Sequence, residues 1–326
     1  MRAVLCSEWG PAGALSVAET PGPTPGPGEV RIAVAACGVN FADTLIIAGQ
    51  YQEKPAFPFS PGMEIAGTVA ACGDGVEAVA PGDRVLAVLD YGGFAAQAVA
   101  RADDVFRLPD GMDFETAAGF PVVYGTAYGA LSWRANLQAG ETLLVLGAAG
   151  GAGLAAVEVG KAMGATVIAA AGGAEKLALA RGHGADHAID YRSQDLRARV
   201  KEVAPARGCD VIFDPVGGDA FDAALRCVAW EGRIVVIGFA SGRVPQVPAN
   251  ILLVKNCAAL GFYWGSYRRR DPARHRAAFD ALFGWYREGR LKPHVSHRFP
   301  LEQAAEALET LAGRKSTGKV VLTTET

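Results

Sequence analysis

The stretch LLVLGAAGGAGLAAVEVGKAMGATVIAAAGGAEK, residues 143–176, decides the fold. A strand-like apolar run stops at Gly147, glycines follow at 150, 151 and 153, and a helical pattern begins at once. Glycine permits the tight turn and lets phosphate oxygens reach backbone N–H groups at a helix N-terminus. Because the run TVIAA supplies a second strand on schedule, the pattern favours a dinucleotide-binding loop over a merely packed glycine turn.

The end of that second strand indicates which dinucleotide is bound. Folds that select NAD place an acid there for the ribose 2′-hydroxyl, whereas this chain reads Ala170, Ala171, Gly172, Gly173. Lys176 follows and could meet a 2′-phosphate, although an ordinary solvated helix lysine is a serious alternative. The sequence therefore favours NADP(H).

The surrounding chain predicts an α/β protein in two parts. From about residue 122, the strand-like runs LLVLG, TVIAA, DVIFD and RIVVIG alternate with helical segments, as in a doubly wound parallel sheet with covered faces. Before it, short apolar runs between glycines and prolines predict a β-rich domain, in which Val30, Ile32 and Val34 share one side of a strand. The terminal run GKVVLTT is expected to return to that first domain as a strand.

Composition narrows the class of function. The 326 residues carry a net charge of −3, which argues against a nucleic-acid partner and favours small-molecule chemistry. The uncharged segment 143–157 is too short to span a membrane, and the first residues do not resemble a secretory signal, so a cytoplasmic protein is expected. The six cysteines form no CxxC pair, which indicates buried reduced thiols.

Several motifs together resemble a known family along the whole chain. They are ACGVNFADTLIIAGQY (36–51), FPFSPGMEIAGTV (57–69), YGTAYGAL (124–131), the AAGGAGLAA loop, FDPVGG (213–218), GRIVVIGFASG (232–242) and STGKVVL (316–322). The sequence resembles the zinc-free quinone oxidoreductase (zeta-crystallin-like) branch of the medium-chain dehydrogenase/reductase superfamily. The resemblance implies a GroES-like catalytic domain, residues 1–121 completed by 262–326, and a Rossmann NADP-binding domain, residues 122–261.

Zinc ligands of the superfamily are missing from this sequence. Zinc alcohol dehydrogenases resembling it carry Cys at the position of Asn40, His at that of Met63 and Cys at that of Val122. Because an amide, a thioether and a valine are poor zinc ligands or none, no metal is expected. Without a Lewis acid, the sequence favours reduction of an electron-poor acceptor by NADPH, as in a quinone oxidoreductase.

The resemblance also implies site residues. Four are expected near the reacting atoms: Asn40, Asp43, Tyr51 and Thr126. Local alternatives are an Asx turn for Asp43, a packing aromatic for Tyr51, an N-cap for Thr126 and, in the cofactor set, a half-buried strand aromatic for Tyr191. The expected cofactor-binding residues are Ala149, Gly150, Gly151, Ala152, Gly153, Gly173, Lys176, Tyr191, Gly238, Phe239, Ala240, Phe262, Tyr263, Trp264 and Lys319.

Other functions stay open at the level of sequence. A 2-enoyl-thioester (enoyl-CoA) reductase would use Tyr51 as a proton donor, and relatives of the zeta-crystallin type also serve as RNA-binding or structural crystallin-like proteins. Leu45 replaces a tyrosine found in some quinone reductases, so the acceptor pocket is expected to differ. The basic run YRRRDPARHR, 267–276, is interpreted as a solvated helix start, with an electrostatic funnel for an anionic substrate as the alternative.

An oligomer is expected as well. The apolar run LLVKNCAALGF is interpreted as a strand at the edge of the parallel sheet, and a bare edge invites pairing. A homodimer joined around Val254–Gly261, as the resemblance implies, is therefore predicted, with a small-molecule electron acceptor as the other partner.

Overall fold

The computed structural model describes residues 1–204 and 208–324, so the predicted domain ranges contain a few residues outside the described part of the chain. Its strands are β1 Arg2–Leu5, β2 Ser16–Glu19, β3 Glu29–Val39, β4 Glu64–Cys72, β5 Arg84–Val88, β6 Gln97–Arg101, β7 Val105–Arg107, β8 Thr142–Leu146, β9 Thr166–Ala171, β10 His187–Asp190, β11 Cys209–Asp214, β12 Val228–Val236, β13 Ala258–Gly261, β14 Val295–Pro300 and β15 Lys319–Thr323.

Helices are concentrated in the middle of the chain, where they alternate with strands. They are α1 Phe41–Ile47, α2 Phe114–Ala118, α3 Pro121–Tyr128, α4 Gly151–Ala162, α5 Ala174–Gly182, α6 Leu196–Val203, α7 Gly218–Leu225, α8 Ala249–Lys255, α9 Tyr267–Arg270, α10 Pro272–Arg287 and α11 Ala304–Ala312, with a π-helical segment at Gly129–Arg134 after α3.

The chain divides into two units. Unit 1 contains Met1–Val122 and the chain from Pro293 onward, and unit 2 contains Val123–Lys292. Residues 262–292 thus belong to unit 2, whereas the boundary predicted from the sequence assigned them to the GroES-like domain. Aromatic packing between this segment and the rest of unit 2 is the reason: the rings of Tyr128 and Trp285 lie 5.6 Å apart, and those of Trp133 and Phe262 lie 6.2 Å apart.

Unit 1 is built on a seven-stranded sheet. Its order is β14-β15-β3-β4-β5-β7, and β6 also pairs with β3. Burial alternates over the first part of β3, with Val30, Ile32 and Val34 buried as expected, whereas its last four residues, 36–39, are all buried. The last strand does return to this sheet, since β15 pairs antiparallel with β3 in the register Val320↔Val39. The β-rich first domain predicted from the sequence is confirmed.

Unit 2 is built on a six-stranded sheet of parallel strands. Its order is β10-β9-β8-β11-β12-β13, so the chain runs outward from β8 in one direction and then starts again beside β8 in the other. This is the strand order 3-2-1-4-5-6 of a dinucleotide fold, in which ligands bind at the carboxyl ends of the strands where the direction of winding reverses. The central strands are fully buried because helices cover both faces.

One predicted strand is partly a helix. Residues 249–255 form α8, which ends at Asn256 in a left-handed conformation with φ of 48°, and only Ala258–Gly261 form the edge strand β13. Interpreting the whole apolar run as a strand was therefore wrong for its first half. The misleading feature is that Leu253 and Val254 are apolar yet 77% and 72% exposed, so their hydrophobicity does not report burial.

In the described part of the chain, every helix is too short or too polar to cross a bilayer.

Candidate functional site

A buried polar cluster lies at the ends of β3, β4 and β15 in unit 1. It contains four residues with at most 7% of their surface exposed: Asn40, Asp43, Glu64 and Lys319. Asn40 follows β3 directly and precedes α1, while Glu64 and Lys319 begin their strands. The pairing of β3 with β4 on one side and β15 on the other brings these distant residues together.

The Glu64 carboxylate is at the centre of this cluster. One oxygen accepts from Asn40 Nδ2 at 2.8 Å and from Lys319 Nζ at 2.7 Å, and the other accepts from the backbone N–H of Val122 at 2.8 Å. Lys319 Nζ also donates to the Val39 carbonyl at 2.9 Å and to Asn40 Oδ1 at 2.8 Å. An ammonium has three donors, so all of those on Lys319 are used within unit 1.

These contacts fix the orientation of the Asn40 amide. Its oxygen accepts from the cation and its nitrogen donates to the carboxylate, so a flipped amide would face both partners with the wrong polarity. The amide is held rigidly while 7% of the residue stays exposed. The predicted role of Lys319 in cofactor binding receives no support from these bonds, and it stays a prediction.

Asp43 is fully buried in the first turn of α1. Its carboxylate accepts from the backbone N–H of Asn40 at 2.7 Å and of Gly62 at 3.2 Å. Burial raises the pKa of Asp43 to about 7, against the opposing effect of those hydrogen bonds and of the Lys319 charge. The carboxyl therefore ties α1 to the chain just before Met63, which is the turn-stabilising role given above as the local alternative.

The positions at which relatives of the superfamily bind zinc have other partners here. The Asn40 amide is engaged by Glu64 and Lys319, Met63 packs in the core of unit 1, and Val122 offers a half-buried side chain and a backbone N–H. Over residues 1–204 and 208–324, no group of three or more His, Cys, Asp or Glu side chains is arranged to hold a metal ion.

Tyr51 follows α1 in the loop that leads to β4. It is half-buried and packs against the hydrophobic core of unit 1. Leu45 is half-buried on α1. The packing of Tyr51 fits the packing-aromatic alternative and leaves its predicted catalytic role untested.

The glycine loop of unit 2 connects β8 to α4. Gly147 has a positive φ of 59°, and a Cβ added at Gly153 would lie 2.7 Å from the carbonyl carbon of Gly147, so only glycine permits this approach of helix to strand. Gly150 caps α4, and the first N–H groups of a helix, here on Gly151, Ala152 and Gly153, have no partner within it. This turn, the glycine cradle at α4, leaves open the space that side chains would fill, and the first N–H groups of the helix can donate to a ligand there. Both features fit the pyrophosphate of a dinucleotide.

The residues at the end of β9, Ala170 to Gly173, carry no charge of their own, as the sequence indicates. Gly173 has a φ of 97° and open space where a side chain would be, so the backbone there is accessible. Lys176 and Tyr191 are half-buried, and Tyr191 packs against the core of unit 2. Gly173, Lys176 and Tyr191, the residues predicted to contact the 2′-phosphate, follow the carboxyl ends of β9 and β10. These two strands are neighbours that pair up to Asp190↔Ala171.

Two further loops lie at the carboxyl ends of the parallel strands. After β11, the buried Asp214 carboxylate accepts from the backbone N–H of Val216 at 2.8 Å and of Gly217 at 2.9 Å, which shapes the turn of the FDPVGG motif. After β12, residues 238–240 are joined to that turn by the Ala240 N–H, which donates to the Pro215 carbonyl at 3.1 Å. Phe239 is 38% exposed beside it.

The segment 262–264 packs against α3. The indole of Trp264 occupies the space over Gly125, since an added Cβ would lie 2.7 Å from its Nε1. Thr126 lies inside α3 and is half-buried, so the N-cap alternative for it is wrong. Phe262 is buried, whereas Tyr263 is 41% exposed. The 262–264 segment thus lies against α3 at Gly125, the residue before Thr126, while the assignment of both to the nicotinamide end stays a prediction.

The basic run 267–276 forms α9 and the first turn of α10. Arg269, Arg270 and Arg274 are exposed, while Arg268 and His275 are buried. The helix start is confirmed, although the segment is more buried than a fully solvated start. The electrostatic funnel for an anionic substrate stays a prediction.

Comparison with known proteins now decides the family. Residues 26–110 match the family model described as alcohol dehydrogenase GroES-like domain, and residues 183–322 match the one described as zinc-binding dehydrogenase. The mouse quinone oxidoreductase-like protein 2 is 44% identical over 98% of this chain and 91% of its own length. A quinone oxidoreductase of Pseudomonas aeruginosa is 38% identical over 91% of this chain and 92% of its own.

The crystal structure of Escherichia coli quinone oxidoreductase complexed with NADPH superposes with a TM-score of 0.93 at 31% identity, over 99% of this chain and 100% of that one. This chain belongs to the medium-chain dehydrogenase/reductase superfamily. It is an oxidoreductase with a GroES-like domain and a Rossmann domain, and the resemblance found in its sequence is confirmed.

Sequence reasoning missed two residues of this oxidoreductase that the structure singles out. Glu64, the centre of the buried cluster, lies within the motif PGMEIAG, and its full burial as an acid is the signal that only the structure supplies. Arg192 follows Tyr191 directly and reaches the end of β9. Nothing in the sequence alone indicates that position, because it depends on which strand pairs with β9.

Proposed function

We propose that the chain is an NADPH-dependent quinone oxidoreductase, which transfers hydride from NADPH to a quinone or another electrophilic acceptor without zinc. The observation that carries the proposal is the glycine cradle at α4 together with a β9 that ends in alanines and glycines, with no acidic residue of its own at that position. An acid at that end would hydrogen-bond the ribose of NAD and repel a 2′-phosphate. Relatives named quinone oxidoreductase, one of them complexed with NADPH, support the same assignment.

Unit 2 offers residues to hold each part of the cofactor. The first-turn N–H groups of α4 suit the pyrophosphate, while Gly173, Lys176 and Tyr191 suit the 2′-phosphate. The backbone at 238–240 and 262–264, with Thr126, is assigned to the nicotinamide end. When bound, NADPH supplies the hydride, and the protein supplies binding and orientation.

Unit 1 offers the rigid amide of Asn40 and the carboxyl of Asp43, whose pKa burial raises to about 7. Glu64 and Lys319 lock the Asn40 amide, so it can present a fixed donor or acceptor without reorganising. Reducing a quinone gives a hydroquinone anion that is stabilised by aromaticity and protonated from water. Such chemistry does not require the Lewis acid that an alkoxide needs. The partners of Asn40 and the packing of Met63 support metal-independent activity.

A turnover screen tests this proposal. NADPH consumption is followed with quinones, enals and enoyl-CoAs as acceptors, before and after dialysis against a strong chelator. We expect quinones to give the highest kcat/KM, NADPH to be preferred to NADH, and the chelator to have no effect. Loss of activity on dialysis with recovery on added zinc would refute the metal-independent part, and a far higher kcat/KM for an enoyl-CoA would refute the acceptor class.

We also propose that the functional form is a homodimer joined at the β13 edge of the parallel sheet. The edge strand β13 and the exposed Leu253 and Val254 on the preceding helix support it. Apolar side chains exposed to this degree next to an unpaired strand edge are typical of a surface that another chain covers.

A further inference from the structure

Arg192 lies across the end of β9. A Cβ added at Gly172 would clash with the Nε of Arg192 and lie 2.7 Å from its Cδ. The arginine side chain therefore passes through the space that a side chain on residue 172 would occupy. Because Asp190 on β10 pairs with Ala171 on β9, residue 192 is delivered to this point by the sheet itself.

A turn centred on Asp190 holds the arginine in place. The Asp190 carboxylate accepts from the backbone N–H of Arg192 at 3.0 Å, and the Asp190 N–H donates to the side chain of Gln194 at 3.1 Å. The hydrogen bond from Arg192 is the main reason that the pKa of Asp190 is lowered, and a bond from the backbone N–H of Gly173 adds to it. Asp190 is therefore an anion that joins the loop after β10 to the turn after β9.

The guanidinium of Arg192 is available to a ligand. The residue is exposed, and its charge lies near the Asp190 carboxylate, whose pKa it helps to lower. Lys176, the cation predicted for this position, is half-buried and has contacts of its own. An anionic ligand at the end of β9 would also lie near the Asp190 carboxylate, so a nearby positive charge is needed to offset that repulsion.

We infer that Arg192 is a specificity-determining residue of this oxidoreductase and that its guanidinium binds the 2′-phosphate of NADPH. The inference rests on the proposed use of NADPH. A planar guanidinium can donate two parallel hydrogen bonds to a phosphate, whereas a lysine contributes a single point charge. Its position over Gly172 places it at the end of the second strand, where dinucleotide folds distinguish a 2′-hydroxyl from a 2′-phosphate.

The test measures equilibrium binding and not turnover. Dissociation constants for NADPH, NADH and 2′,5′-ADP are measured by titration calorimetry for the wild type and Arg192→Ala. We expect Arg192→Ala to weaken NADPH and 2′,5′-ADP by about ten- to a hundredfold and to leave NADH nearly unchanged. The matched control is Arg181→Ala, which removes an exposed arginine at the other end of α5 and is expected to change none of the three constants.

A second variant keeps the charge and changes only its position. Gly172→Ala introduces the Cβ that clashes with Arg192, and residue 172 does not have the positive φ that would strain an alanine. It should therefore reproduce the selective loss of NADPH and 2′,5′-ADP binding without removing a cation.

Three results separate the inference from the function on which it rests. Unchanged NADPH binding in Arg192→Ala overturns the inference, and so does an equal weakening of NADPH and NADH, which would mean that the arginine supports the fold. A wild type that binds NADH as tightly as NADPH instead refutes the proposed cofactor, whatever the variants do.

Discussion

Replacing Lys319 by methionine tests whether the buried cluster is a structural ion pair. The change removes the cation that pairs with Glu64 at 2.7 Å, and the Glu64 side chain is fully buried. Breaking a buried pair in this way typically costs about 3–5 kcal/mol. We expect Lys319→Met to lower the free energy of unfolding by about 3–5 kcal/mol.

The assay is urea unfolding at pH 7.5, with wild type and variant compared under the same conditions. Lys161→Met is the matched control, because Lys161 pairs with Asp186 at 2.9 Å on the surface, with both side chains about one-third exposed. An exposed pair of this kind contributes about 0–1 kcal/mol.

The reasoning is refuted if Lys319→Met costs less than about 1 kcal/mol. Cofactor binding separates the two roles given to this lysine. If Lys319→Met unfolds at a lower urea concentration but binds NADPH normally, the lysine is part of a structural ion pair. If the variant keeps its stability and loses NADPH affinity, the predicted role of Lys319 in cofactor binding is supported instead.

Three further outcomes are expected. Because burial raises the pKa of Asp43 to about 7, the stability that this protonated carboxyl provides is complete below about pH 4 and is lost as the pH rises to 7. Urea unfolding should therefore show Asp43→Asn gaining on wild type by up to about 1.4 kcal/mol per pH unit in that window, and a constant difference would contradict the shift. Tyr51→Phe should keep the thermal midpoint and most quinone turnover, whereas a loss of roughly a hundredfold or more would identify the phenol as a general acid, as an enoyl-thioester reductase requires. Light scattering should give twice the 33.8 kDa chain mass for wild type and the single mass for the double variant with Leu253→Asp and Val254→Asp; a monomeric wild type at micromolar concentration would disprove the dimer.

Local patterns in the sequence were enough to predict the strands and helices around the glycine loop of unit 2. The runs around Gly147–Gly153 are apolar on every side because parallel strands are buried on both faces, and each was correctly interpreted as a strand or helix. The prediction of a strand for the whole apolar run 252–262 was wrong in its first half. There, hydrophobicity does not indicate burial, since Leu253 and Val254 are exposed in this chain.

The polar cluster could not be predicted in the same way. Glu64 and Lys319 are 255 positions apart, and only the pairing of β3 with both β4 and β15 makes them partners. Arg192 was overlooked for a related reason: its place depends on the register of β10 against β9, which no local pattern reveals.

The pairing of β15 with β3 affects the order in which the protein can fold during its synthesis. Unit 2 is continuous in the chain, whereas the contact of Lys319 with Val39 must wait for 280 further residues. At usual translation speeds that delay is roughly 14–56 s. Throughout that time one edge of β3 lacks its final neighbour, and the Glu64 carboxylate lacks its cation. We therefore expect ribosome-bound chains that end before β15 to have a protease-resistant unit 2 and a protease-sensitive unit 1, and equal resistance of both units would show that the last strand is not needed to close the first sheet.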